Sequence, residues 1–191
     1  MKREFLLPFL ILEDIMKRLL IVVDYQNDFV NGSLGFEGAE LLDERIADKI
    51  REYRNNGDDV CFTMDTHYDD YMDTMEGKKL PVVHCIKDTH GWELYGETAK
   101  LKREEDMCFI KNTFPSLELG KWLEDKEYSS VELVGLVSNI CVLSNAVMVK
   151  AALPDAEILV DAKCTSAADI DMNNKALDVM AGIHVNIVNI L

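Results

Sequence analysis

Six apolar runs recur along the chain, most of them apolar at consecutive positions rather than alternate ones. Leu19 to Val23 is such a run and stops at Asp24. Val60 to Met64 is a second and stops at Asp65. Met107 to Ile110 stops at Lys111, Val131 to Val137 leads into Ser138-Asn139-Ile140-Cys141, Glu157 to Val160 stops at Asp161, and His184 to Ile190 is the last. Between them lie stretches with helical spacing. Positions 41, 42, 46, 50 and 53 carry apolar residues in Glu40–Arg54, which ends at Asn55-Asn56-Gly57. This spacing predicts a helix. Further helices are predicted over Ser116–Lys126, from Cys141 to Ala152, and over Asp169–Ala181 with Gly182 as its cap. A polar loop of twenty residues (65–84) leads away from the second strand.

Strands apolar on both faces and separated by helices indicate a sheet covered on both sides. The fold expected is α/β: a doubly wound three-layer α/β/α sandwich with a six-stranded, mainly parallel sheet. The 191 residues suit one such domain, assigned to residues 16–191. Residues 1–15 stand apart. The run Phe5–Leu12 follows Lys2 and Arg3 as a signal peptide would. However, Pro8 interrupts it, Glu13 and Asp14 follow, and no small-x-small cleavage site is present. It is also too short to span a bilayer. The segment reads as an N-terminal extension of uncertain role, or else as a short helix packed on the domain.

Charge narrows the function. Twenty Lys and Arg oppose 35 Asp and Glu, a net charge of -15. No basic surplus is available to displace counterions from a phosphate backbone, which argues against nucleic acid as partner. No membrane partner is expected. The five cysteines (61, 85, 108, 141 and 164) are scattered, without a CxxC pair. This points to a reducing compartment, the cytoplasm, rather than to a disulfide framework.

Ligands of open parallel sheets bind at the carboxyl ends of the strands. Those ends carry Asp24, Asp65 with His67, Lys111 and Cys141. A strand end needs none of these residue types. Cys141 lies near a predicted helix start, where backbone N–H groups favour a thiolate, and Lys111 nearby would lower the thiol pKa further. Asp24 could accept the thiol proton. Nucleophile, base and cation are the requirements of covalent acyl transfer. Free N–H groups in the 138–141 turn could hold an oxyanion. Taken alone, Cys141 would be a small buried hydrophobe; the neighbouring Asp24 and Lys111 reverse that preference. Asp65-Thr66-His67, with His84 beyond, offers two imidazoles and a carboxylate to Zn²⁺, Fe²⁺ or Mn²⁺. By itself a D-x-H pair is more often a hydrogen-bonded turn. Asp69, Asp70 and Asp73 read as a solvated acidic loop, His90 and His184 as structural or exposed, and the other four cysteines as core or supporting residues.

These residues, in this order, resemble the isochorismatase-like cysteine hydrolases, and within them the nicotinamidases. The resemblance runs from about Arg18 to the end of the chain. It rests on Ile21-Val-Val-Asp24-Tyr-Gln-Asn-Asp-Phe29, Asp65-Thr-His67, His84-Cys85, Lys111 and Gly135-Leu-Val-Ser-Asn-Ile-Cys141-Val. It implies a catalytic triad of Asp24, Lys111 and Cys141, with backbone N–H groups of Ser138 and Cys141 as the oxyanion hole. It implies a cis peptide between Val137 and Ser138, and metal ligands Asp65, His67 and His84. The metal would be one divalent ion, Zn in the first place, with Fe or Mn as alternatives. Phe29 and Val137 become substrate-binding residues. The implied reaction is hydrolysis of nicotinamide to nicotinate and ammonia through a thioester, a step of NAD salvage, with homo-oligomerisation as family habit.

The sequence also departs from that pattern. Leu80-Pro81-Val82-Val83-His84 has no Trp before the metal histidine and one residue more. Asp73 lies nearest the place of a further metal-associated side chain, and Ser138-Asn139 replaces the common Thr-Asp. These departures touch the substrate, not the triad. A related amidase acting on another small amide or ureido acid is therefore the alternative, followed by a catalytically silent binding subunit. Cys141 argues against a vinyl-ether hydrolase.

Overall fold

The computed structural model describes residues 16–190. The segment 1–15, for which an extension or a packed helix is expected, lies outside the described residues. Six strands form one sheet: β1 (Arg18–Val23), β2 (Asp59–Asp65), β3 (Met107–Lys111), β4 (Ser130–Leu136), β5 (Glu157–Ser166) and β6 (Asn186–Val188). Their spatial order is β3-β2-β1-β4-β5-β6, and every pairing is parallel.

The consecutive apolar residues of β1 are explained by its central place. Leu19, Ile21 and Val23 enter one core, while Leu20 and Val22 enter the other. Each such burial contributes roughly 1.5–3 kcal/mol. Seven helices are described: α1 (Asn27–Val30), α2 (Asp43–Asn55), α3 (Met75–Lys79), α4 (Gly96–Leu101), α5 (Leu117–Leu123), α6 (Leu143–Ala152) and α7 (Ile170–Gly182). Helix α2 packs Ile46, Ile50 and Tyr53 on the Leu20 side. Leu119 and Leu123 of α5, Val149 of α6 and Met180 of α7 cover the other face.

The element boundaries differ from the sequence expectation where capping decides them. Helix α5 starts after Ser116, whose side chain accepts from the Leu119 N–H, and α7 starts after Asp169, which accepts from Asp171 and Met172. Gly182 is the last residue of α7 rather than its cap, and the left-handed residue is His184 (φ 68°). That turn shortens β6 to three residues. The polar loop 65–84 is not structureless: a 3-10 turn (Tyr71–Asp73) precedes α3, which Thr74 caps through the Gly77 N–H.

The strand order reverses between β1 and β4, which opens a crevice at their carboxyl ends. Gly135 permits the approach there. It pairs with Val23, has φ 110°, and a Cβ on it would overlap the Val23 carbonyl oxygen. Among the described residues no helix is long and apolar enough to cross a membrane.

Candidate active site

Each expected side chain stands at the edge of this crevice. Asp24 follows β1 in a left-handed conformation (φ 45°). Asp65 ends β2 and Lys111 ends β3, where the two are register partners. Cys141 lies in a π-helical turn, Ser138–Val142, that joins β4 to α6. All four are buried. The Lys111 ammonium binds them together: Nζ is 2.6 Å from Asp24 Oδ2, 3.2 Å from Asp65 Oδ1 and 3.7 Å from Cys141 Sγ. The other Asp24 oxygen accepts from the Thr63 hydroxyl at 2.6 Å. Asp24, Lys111 and Cys141 therefore converge as expected.

The electrostatics modify one expectation. Burial pushes the Cys141 thiol well above its ordinary value, and Asp24 adds to this; Lys111 opposes them without prevailing. Burial therefore works against the thiolate that a helix start and a lysine would favour. Burial also raises Asp24, against the pull of Lys111. Lys111 itself loses solvation, but Asp24, Cys141 and Asp65 outweigh that loss and hold it as a cation. A raised carboxylate beside a raised thiol is a competent proton acceptor at the moment of attack.

The peptide reversal lies one residue earlier than expected. The cis bond joins Leu136 to Val137, not Val137 to Ser138. Leu136 still pairs with Ser166 in the sheet. The Val137 carbonyl already accepts from the Ile140 and Val142 N–H groups. The change of direction therefore falls between the ladder and the helical turn.

Asp65, His67 and His84 also come together, and Glu76 joins them. One ligand atom of each lies within 4.8 Å of the others. His67 Nε2 and His84 Nε2 stand 3.1 and 3.4 Å from Asp65 Oδ2, and 3.6 and 3.7 Å from Glu76 Oε1. His84 Nδ1 faces the Val82 carbonyl at 2.8 Å, which leaves Nε2 free to ligate. Burial and repulsion from Asp65 push Glu76 up. Burial acts on Asp65 in the same sense, but the two histidines and Lys111 overcome it and hold Asp65 below the usual carboxylate range. Two carboxylates and two imidazoles facing one point fit a divalent cation.

Supporting residues lock these side chains in place. Gln26 clasps the Asp65 backbone, accepting from its N–H and donating to its carbonyl. Asp28 accepts from the Cys85 N–H beside His84. The Tyr71 ring packs on both imidazoles, 4.6 and 5.1 Å between centroids.

Sequence reasoning missed Glu76, Thr63, Gln26 and Tyr71. Asp73, the acid singled out instead, is exposed on the 3-10 turn. Glu76 lies on the next turn, and the available signal was the Thr74-Met75-Glu76-Gly77 cap motif that faces it inward. His90 is exposed, as expected.

A cavity of about 270 Å³ opens onto Cys141, Asp65, Glu76 and His84. Its walls include Phe29, Val137, Ile140, Leu80 and Phe114. Phe29 meets His84 edge-on at 5.7 Å. Among the described residues no Trp lines it: Trp92 turns elsewhere and donates to the Thr66 hydroxyl. Leu80 and Phe114 supply apolar wall instead.

The chain is similar to known proteins in sequence and in fold. The chain is 32% identical over 143 residues to the uncharacterized isochorismatase family protein PncA of Bacillus subtilis, covering 69% of this chain and 78% of that one. The crystal structure of nicotinamidase/pyrazinamidase PncA from Bacillus subtilis superposes with TM-score 0.79 at 28% identity, covering 90% and 99% of the two chains. The pyrazinamidase of Pyrococcus horikoshii in complex with zinc has the same fold, with TM-score 0.79 at 22% identity over 91% and 99%. The Isochorismatase domain family model matches residues 18–189, which span all six strands and every residue of the site, and the chain belongs to that family.

Proposed function

We propose that this protein is a cysteine-dependent amidohydrolase that converts nicotinamide to nicotinate and ammonia. The observation that carries the reading is the Lys111 ammonium set among Asp24, Asp65 and Cys141, the last two of which line an apolar cavity. The similarity to nicotinamidase/pyrazinamidase PncA supports the substrate.

In this mechanism Asp24 takes the thiol proton as Sγ attacks the amide carbonyl carbon. The oxyanion settles on the Ser138 and Cys141 backbone N–H groups. Asp24 returns the proton to the departing nitrogen, and ammonia leaves a thioester on Cys141. Asp24 then removes a proton from water, which attacks the thioester and releases the carboxylic acid and the thiol. Lys111 keeps the developing negative charge balanced throughout. Asp65, His67, Glu76 and His84 would hold one divalent ion, Zn in the first place, that supplies a Lewis acid to orient the substrate ring. Phe29 and Val137 contact that ring.

The cavity wall also separates a neutral amide from a ureido acid. Among the described residues no Lys or Arg lines the wall, and the charge of the buried Lys111 is already matched by Asp24 and Asp65. A substrate carboxylate would be buried unpaired, which is costly. The companion proposals are cytoplasmic residence, in keeping with five free cysteines, and a homo-oligomer, in keeping with Met107 and Ile110 exposed on the edge strand β3.

The test is ammonia release from nicotinamide, wild type beside Cys141→Ala. Release that vanishes in the variant is expected. Full activity in Cys141→Ala would end the mechanism. No release by metal-loaded wild type would remove nicotinamide as substrate.

A further inference from the structure

One fully buried side chain outside the triad and the metal cluster connects the nucleophile to the cavity wall. Asn145 sits on α6, four residues after Cys141, with no exposed surface. Its Nδ2 donates to the Cys141 carbonyl at 2.8 Å and to the Phe114 carbonyl at 3.2 Å. Its Oδ1 accepts from the Ser116 N–H at 2.9 Å. Two carbonyls require the nitrogen and one N–H requires the oxygen, so the three partners fix the amide in one orientation.

The two sides joined by this amide belong to different elements. Cys141 lies in the turn after β4. Phe114 and Ser116 lie in the segment after β3, which begins at Lys111 and ends where Ser116 caps α5. That segment runs over the surface without a ladder of its own, and Phe114 is 41% exposed while lining the cavity that opens on Sγ. Within it, the hydrogen bonds from Asn145 tie the Phe114 wall to the Cys141 main chain. A hydrophobic residue at 145 would fill the space and hold neither side. Leaving the Ser116 N–H and two carbonyls unpaired would cost more than the bonds gain, so the segment would shift to satisfy them elsewhere.

We propose that Asn145 is a positioning residue: it sets the distance between the Cys141 sulfur and the Phe114 wall, and so sets how well the site admits flat aromatic groups relative to small aliphatic ones. This rests on Cys141 being the nucleophile, but not on nicotinamide being the substrate.

The experiment measures alkylation of Cys141 by two reagents, iodoacetamide and its N-phenyl analogue, read on the Cys141 peptide by mass spectrometry so that the other four cysteines do not contribute. The quantity is the ratio of the aromatic to the aliphatic rate. It is measured in wild type, Asn145→Ser, Phe114→Ala and the double variant. The ratio is expected to fall roughly fivefold or more in each single variant, and to fall no further in the double, because residues that act through one contact are not additive. A structural role alone would lower the melting temperature and leave the ratio unchanged.

An unchanged ratio in Asn145→Ser, or effects that multiply in the double variant, would overturn the proposal. Asn145→Asp keeps the volume and the Ser116 bond but loses both donors, and it is expected to show a fall in the ratio as well. If neither Asn145 variant folds, the residue serves folding first and the proposal fails. Wild type that alkylates with the expected preference but releases no ammonia from nicotinamide would retire the substrate and leave Asn145 in its role.

Discussion

Asp65 and Lys111 face each other across β2 and β3 as register partners, and the Lys111 ammonium reaches the Asp65 carboxylate at 3.2 Å while holding Asp24 at 2.6 Å. One side chain thereby joins the cluster of Asp65, His67, Glu76 and His84 to Asp24 and Cys141. Replacing it with the isosteric Met leaves two buried carboxylates without their cation. Breaking a buried pair in this way costs about 3–5 kcal/mol. Lys111→Met is therefore expected to unfold at distinctly lower urea concentration than wild type and to lose amidase activity. A variant of wild-type stability would show that the carboxylates do not depend on Lys111.

Thr63 donates to the carboxylate oxygen that Lys111 leaves free, and this bond favours the charged form of Asp24. Burial already raises Asp24 above its ordinary value. In the proposed mechanism Asp24 is the base and must be ionised, so activity is expected to be lost as the pH falls through its raised pKa. Thr63→Val removes a contact that stabilises the anion. The acid limb of the kcat/KM profile is therefore expected to move to higher pH, with the plateau less affected. A limb that stays in place would remove Asp24 from the base role.

The parallel sheet and the convergence of Asp24, Lys111 and Cys141 were legible because strand ends carry their chemistry in the chain itself. Asp24, Asp65 and Lys111 each terminate an apolar run, and Cys141 follows one. What was not legible depends on register and helical phase. Thr63 faces Asp24 only because β2 pairs with β1 in one register. Glu76 faces the histidines only because Thr74 caps a short helix that the polar composition of 65–84 concealed. The thiol's raised pKa depends on burial of the whole cluster, which no local motif reports.

Glu76 and Asp73 can be told apart by experiment. Glu76 offers its carboxylate within 4.8 Å of Asp65, His67 and His84, whereas Asp73 is exposed. Glu76→Gln removes the charge and keeps the shape. Disturbing residues that tune a metal site typically costs 10–100-fold in affinity, and loss of a ligand is expected to cost at least about as much. Competition with a chelator should show weaker retention in Glu76→Gln and wild-type retention in Asp73→Asn. Equal retention in both would leave the ion to Asp65, His67 and His84 alone.

Gly135 bears on stability rather than chemistry. It pairs with Val23 at the point where the sheet order reverses, and its φ of 110° is one that side chains rarely adopt. A methyl group there meets the Val23 carbonyl oxygen, a backbone atom that cannot turn aside. Gly135→Ala is therefore penalised twice, in conformation and in overlap, and either the β1–β4 pairing or the turn to Cys141 must give. Alanine at an incompatible positive φ destabilises by more than about 1 kcal/mol before any overlap is counted. The variant is expected to melt well below wild type, and any folded fraction to lose activity, because β4 leads directly into the turn that carries Cys141. The same change at Gly57, which also has a positive φ (80°) but open space where the methyl would go, should cost only the conformational part. Comparing the two melting temperatures isolates the contribution of the close approach, and equal losses would show that the crevice does not depend on it.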